Sequence, residues 1–364
     1  MRLKDLCDVL EEFAPLAYQE SYDNSGLICG NYNMEITSAL LCIDSTEEVV
    51  DEAISKGCNL IIAHHPIVFS GLKRFTGSNY IERTIIKAIK NDIAIYAAHT
   101  NLDNVFGGVN FKIAEKLDLI NTSILAPKNG ILKKLIVFVP EASAEKVRNA
   151  LFEAGAGRIG NYGECSFNTS GVGTFKPAAE SKPYVGEQNK QHHENEVKVE
   201  TIYPAYIEGQ VLAAMLKNHP YEEVAYDTIM LSNKHKLVGS GLLGELKEEM
   251  DEKQFLEYLK KQMKIASIRY TKLRGKKVKR VAVCGGSGSF LLEKAIKSKA
   301  DVFITGDFKY HQFFDSENQL VIADIGHYES EQFTVELFYE ILKKKFNTFA
   351  LLISSTNTNP INYI

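Results

Sequence analysis

Apolar residues recur at helical spacing through 3–14, where Leu3, Leu6, Leu10 and Phe13 share one face. Beyond that helix the period changes repeatedly. Residues 38–43 and 59–63 are short, almost wholly apolar runs, and 46–56 between them has helical spacing closed by Gly57. A helix over 80–90, a strand over 93–98 and a helix over about 108–117 follow. Uniformly apolar strands separated by helices predict an α/β fold whose mostly parallel sheet is covered on both faces.

The same alternation returns near the C-terminus, with strands at 281–284, 301–305 and 320–324 and helices at 289–298, 308–316 and 329–344. A shift of 242 residues aligns Cys42 with Cys284, Ser45 with Ser287, Ala53 with Ala295 and Ile62 with Ile304, without a gap. A shift of 228 then aligns His99 with His327 and Asp103 with Glu331. Both halves therefore end their third strand in His-x-x-x-acid. This spacing predicts two pseudo-repeated βαβ halves, 1–125 and 236–364, joined in one sheet of a parent domain. Residues 126–235 read differently. Strands at 134–139, 163–168, 171–175, 197–203 and 224–231, with helices at 143–154 and 207–217, suggest an inserted α+β unit of ferredoxin-like order. The polar stretch 176–195 is its loop.

Composition narrows the class. The 364 residues carry 42 basic and 46 acidic side chains, a formal charge of −4. That balance argues against a nucleic-acid-coating protein. No apolar run approaches the ~20 residues of a membrane span, and the N-terminus lacks the apolar stretch of a signal peptide. Six cysteines stand far apart with no Cys-x-x-Cys pair, so neither a disulfide framework nor a thiolate zinc site is indicated. The expectation is a reduced, cytoplasmic protein.

Chemistry-bearing residues gather at the predicted strand ends. His64-His65 follows the second strand of the first half, His99 with Asp103 the third, and Gly326-His327 with Glu331 the third of the second half. Each has a plain structural reading alone: a buried histidine, a helix cap, a first-turn acid. Together they differ. Five of nine histidines (64, 65, 99, 311 and 327) sit at or just beyond strand ends, where open α/β sheets present their sites. Imidazoles and carboxylates clustered there are costly unless paired or coordinated, which points to a metal site. Nitrogen and oxygen donors without sulfur suit zinc, manganese, iron, cobalt or nickel. Cys284-Gly-Gly286-Ser-Gly288 links a strand to a helix; a tight turn accounts for its glycines, and a phosphate cradle is the rival reading.

Asp23-Asn24-Ser-Gly26-Leu27, His64-His65-Pro66, His99-Thr-Asn-Leu-Asp103, Thr305-Gly-Asp307 with Tyr310-His311, and Gly326-His327 with Glu331 occur in an order that resembles the GTP cyclohydrolase 1 type 2-like, or NIF-three-like, family. Gly155-Ala-Gly157, Ile159-Gly-Asn-Tyr162 and the segment His219 to Asp227 are similar to the PII-like insert of its longer bacterial members. The resemblance implies His64, His65, Asp103, His327 and Glu331 as ligands of two divalent metals, zinc foremost. It implies His99 and His311 as proton-transfer or orienting residues beside them. Asn24 and Asp44 would stand at the mouth and Asp307 in the shell around the ligands; with Gly286 and Gly288 these are the candidate contacts for a small-molecule substrate, a nucleotide among the options. A toroidal homohexamer is the implied assembly. Two functions fit: a metal-dependent hydrolase, and a non-enzymatic metal-binding regulator or metal-delivery protein.

Overall fold

The apolar runs of the first half become β1 (Gly26–Cys29), β2 (Ser38–Cys42), β3 (Leu60–Ala63) and β4 (Ala94–Ala97), followed by β5 (Ile120–Pro127). Every residue of β3 and β4 is buried, as strands covered on both faces must be. The middle of the chain holds β6 (Leu132–Pro140), β7 (Ser166–Phe175), β8 (His192–Pro204) and β9 (Tyr226–Leu231). Then come β10 (Gly239–Asp251), β11 (Arg269–Tyr270), β12 (Lys277–Ser287), β13 (Val302–Gly306), β14 (Val321–Asp324) and β15 (Ala350–Ile353). The computed structural model describes residues 1–364. They divide into two units, Met1–Pro127 with Leu237–Ile364, and Lys128–Lys236. No helix is long and apolar enough to cross a membrane.

The first unit contains two sheets, not the one expected from the two halves. One has the order β1-β4-β3-β2-β15, parallel except for β1 at its edge. The other runs β11-β14-β13-β12-β10-β5, with a parallel trio β12, β13, β14 flanked by antiparallel strands. The physical reason lies in the edges. β15 occupies the free side of β2, and the long β10 occupies that of β12, so the two parallel trios have no unpaired edges left to share.

Local readings shift with this packing. The helix expected over 329–344 breaks into His327–Glu331 and Thr334–Lys345. The break sends Phe333 into the core formed by Phe255, Leu259 and Ile325, while Glu331 keeps its own buried place. The segment expected as a helix over 308–316 is the tighter 3₁₀ form, Tyr310–Ser316. The two short strands expected at 163–168 and 171–175 are one, β7, because Gly171 stays in register opposite Glu196.

The second unit has a four-stranded antiparallel sheet of order β7-β8-β6-β9. Helices Ala144–Glu153 and Glu208–Asn218 bury Val147, Leu151, Val211 and Met215 against Leu135, Val137 and Val199 of one sheet face. It therefore has a hydrophobic core of its own.

Candidate metal centre

The end of β3 delivers His64 and His65 directly. Both backbone N–H groups donate to Ile43 O, which fixes the turn out of the strand. His64 is fully buried, and its Nδ1 lies 2.9 Å from the carbonyl oxygen of Ala98. A carbonyl only accepts, so Nδ1 donates its proton there and Nε2 is the ring atom left to face the cluster. It stands opposite Asp103 Oδ1 (3.7 Å) and Glu331 Oε1 (3.5 Å). Neither His64 Nε2 nor Asp103 Oδ1 has a hydrogen-bond partner, although both are buried.

The other imidazoles are held the same way. Asp44 Oδ1 accepts from His65 Nδ1 at 2.7 Å, Asp23 Oδ1 from His99 Nδ1 at 2.8 Å, and Asp307 Oδ2 from His327 Nδ1 at 2.7 Å. Each fixed ring turns Nε2 inward. His65 Nε2 stands 2.9 Å from Glu331 Oε2 and 3.3 Å from His327 Nε2, which is itself 3.2 Å from Glu331 Oε2. Three groups of donors result, each with its atoms within 4.8 Å: His64, Asp103, Glu331; His65, His327, Glu331; and His64, His65, His99. Glu331 belongs to the first two, with one oxygen toward each.

The electrostatics express the same crowding. Burial opposes charge on His65, yet its bonds to Asp44 and Glu331 lift its pKa to about 10. Burial likewise opposes charge on His327, but Glu331 and Asp307 raise it to about 11. Asp103 goes the other way for a carboxyl, up to about 8, through burial and the nearby charge of Glu331. Glu331 resists its burial because His64 and His327 hold it well below the usual carboxylate range. These groups collect donor atoms in one small volume, with His64 and Glu331 buried from water. Without a cation the cluster must take up protons, and the buried His64 Nε2 and Asp103 Oδ1 are left without hydrogen-bond partners; a divalent metal answers both. The donor set fits.

A cavity of about 680 Å³ opens onto the cluster, lined by His65, His99, Asp103, His327 and Glu331 from the centre and by Tyr22, Phe69, Tyr80 and Phe290 among others. Of the sequence candidates, Asp44 lines it, bound to His65 as described. Asp307 reaches the centre only through His327. Three expectations are corrected. His311 is exposed in the 3₁₀ segment, edge-on to Tyr310 and near Phe314, and lies outside both cluster and cavity. Asn24 is exposed and donates to Val68 O at 2.6 Å instead of lining the cavity. Gly286 and Gly288 form no open phosphate cradle. The N–H of Gly286 donates to Ser330 Oγ and that of Gly285 to Asn110 Oδ1, so these two donors are already engaged within the protein. Gly286 adopts φ 63°, and a β-carbon there would overlap Glu331 Oε1; Gly288 packs against Thr305 and Cys284. The turn lets the strand approach Glu331 closely.

Sequence reasoning missed Asp23, which also accepts from the backbone N–H and the hydroxyl of Thr100. Its place one residue before Asn24 was the available signal. It also missed Thr358, whose hydroxyl donates to Asp44 Oδ2 at 2.6 Å from the far end of the chain.

The α/β unit thus gathers imidazoles and carboxylates from two sheets beneath an open cavity, in groups that could hold a metal ion. The family model Duf34/NIF3 (NGG1p interacting factor 3) matches residues 1–360, and the chain belongs to that family. A Bacillus subtilis protein called GTP cyclohydrolase 1 type 2 homolog is 41% identical over 367 residues, covering 99% of this chain and 98% of the relative. A Halalkalibacterium halodurans protein of the same name is 40% identical, covering 98% and 97%. Among solved structures, a Bacillus cereus protein related to NIF3 superposes with a TM-score of 0.86 at 40% identity, over 100% of this chain and 99% of that one.

Proposed function

We propose that the protein holds two divalent metal ions and uses them in hydrolysis of a small molecule, with zinc as the leading metal. The observation that carries this reading is Glu331, whose two carboxylate oxygens face two separate donor groups, His64 with Asp103 and His65 with His327. Bound there, the metals would supply Lewis acidity and charge neutralisation for an electrophilic carbon or phosphorus centre. The chain's own residues do the rest. Asp44 and Asp307 orient the rings of His65 and His327 through their Nδ1 protons. Asp23 fixes His99 with Nε2 toward the cavity, where it can hold or pass a proton; burial opposes charge on Asp23, but His99 and Thr100 keep its carboxyl far below the usual range, so it stays the acceptor. Phe69, Tyr80 and Phe290, all exposed, give the rim an apolar surface for a substrate to rest on.

The cavity favours hydrolysis over metal storage or delivery, because a storage site needs ligands but no adjoining volume for a substrate. The name borne by the relatives, GTP cyclohydrolase 1 type 2 homolog, makes nucleotides and cyclic amides the first compounds to screen. We further infer that Lys128–Lys236 is a ferredoxin-like, PII-like insert, that the halves around it are pseudo-repeats, and that the cytoplasmic protein works as a homohexamer. The experiment is metal analysis of purified protein followed by a hydrolysis screen over nucleotides, cyclic amides and phosphoesters with each metal restored. Turnover lost in His65→Ala without loss of folding supports the reading. Exchangeable metal with no turnover across the panel turns it toward metal delivery.

A further inference from the structure

The sheet of the Lys128–Lys236 unit is covered by helices on one face only. Val197, Val199 and Tyr203 of β8 turn toward the helices, so Glu196 and Lys198 lie on the uncovered face. Opposed residues of paired strands share a face, which places Gly171 and Gly173 of β7 beside them. Above these glycines opens a second cavity, of about 780 Å³, with Phe138 also lining it. Its walls are aromatic. The ring of Tyr221 lies 5.9 Å from that of Phe175 and 6.3 Å from that of Tyr184.

One carboxylate sits among these rings. Glu196 Oε1 accepts from the Tyr221 hydroxyl at 2.9 Å. A β-carbon on Gly173 would overlap Glu196 Oε2, so the carboxylate lies flat over the glycine, in space that no larger residue would leave. Glu196 has no ion-pair partner. The nearest cation on its own strand, Lys198, is drawn away to Glu200 at 2.8 Å. Lys176 and Lys198 both line the cavity, but Glu196, Glu222 and Glu223 outnumber them there. Glu222 is partly engaged, accepting from the backbone N–H of Lys182.

Aromatic faces carry partial negative charge and attract cations, most strongly where water is displaced. A carboxylate between them supplies the counter-charge and a hydrogen-bond acceptor. The volume suits a small molecule. We propose that this cavity binds a small organic cation, a protonated amine carried on an apolar body. The inference does not depend on the metal centre.

Titration calorimetry of the full chain with three probes sharing one aromatic body tests it: phenethylamine as cation, 2-phenylethanol as neutral isostere and 3-phenylpropanoate as anion. Phenethylamine is expected to bind one equivalent per chain, at least ~10-fold more tightly than 2-phenylethanol, with no measurable binding of the anion. Glu196→Gln should weaken the amine ~10-fold or more, and Tyr184→Ala ~3-fold or more, with metal content unchanged in both. Tyr184 is exposed, so its variant tests the idea even if Glu196→Gln fails to fold. Equal affinity for all three probes, preference for the anion, no amine binding at ~10 mM, or amine binding indifferent to Tyr184→Ala overturns the proposal.

Discussion

Nε2 of His64 is an atom whose position only makes chemical sense with a partner. Ala98 O accepts from the other ring nitrogen, leaving Nε2 opposite the oxygens of Asp103 and Glu331 with no hydrogen-bond partner. Residues that hold a ring by its Nδ1 differ in consequence from those whose Nε2 meets the metal. His327 sits in a donor group with His65 and Glu331, and His327→Ala is expected to lose at least one metal equivalent. His99 is geometrically close to His64 and His65, yet His99→Ala should keep both metals and weaken their affinity ~10–100-fold, as loss of an orienting neighbour does. Asp23→Asn should reproduce the His99→Ala phenotype, since Asp23 acts through that ring. Metal stoichiometry by elemental analysis decides these cases. One metal in His99→Ala with two in His327→Ala would reverse the assignment. His64, His65, His99, His327, Asp103 and Glu331, picked out by their spacing at strand ends, do come together in the structure. Asp23 stood in the Asp23–Leu27 motif without a role, because the ring it holds is placed beside it only by the packing.

At the scale of elements, two polar clamps position the rim of the centre. The first is the N-terminus of helix Tyr80–Lys90. The Glu82 carboxylate accepts from the backbone N–H and hydroxyl of both Thr76 and Ser78 and from Asn79 Nδ2. Those bonds, led by the Thr76 and Ser78 N–H groups, lower its pKa to about 2. A carboxyl depressed on folding stabilises above its unfolded pKa of ~4.3 and loses that contribution as pH falls toward the folded value. Glu82→Gln should therefore lower the urea midpoint at pH 7, and the gap to wild type should narrow steadily below about pH 4.3. A gap independent of pH would show that the carboxylate's charge is irrelevant. The second clamp is the segment after β15. Ser354, Ser355 and Thr356 all donate to Glu52, and Thr358 then reaches Asp44, the partner of His65. Thr358→Val keeps the shape and removes the donor, so it is expected to weaken metal affinity by ~10-fold in a chelator competition. Unchanged affinity would make the tail a passive strap.

For the whole molecule, the Lys128–Lys236 unit has its own sheet and core, and its flanking residues Pro127 and Leu237 both belong to the other unit. Units with separate cores usually survive separation. Deleting 128–236 with a short bridge is expected to leave a folded protein with full metal content, measured by circular dichroism and elemental analysis. A metal-free, aggregated product from several bridge lengths would show that the parent unit depends on it.

Periodicity along the chain was enough for the alternation of strands and helices, the change of character in the middle segment and the imidazole–carboxylate pattern, because those follow from spacing over a few residues. The family was legible as well, from motifs scattered over nearly the whole length. What only the tertiary structure decided involves partners far apart in sequence. β15 and β10 cap two parallel trios and so make two sheets where one was expected. Glu331 meets His65 across 266 positions, and Thr358 meets Asp44 across 314. His311, though it stands in a motif beside Asp307, turns out to solvent because a 3₁₀ turn carries it past the strand end. Local spacing determines which face of an element a residue occupies. Which donor atoms end up facing one another depends on how the elements pack, and that is where the candidate metal-binding cluster is made.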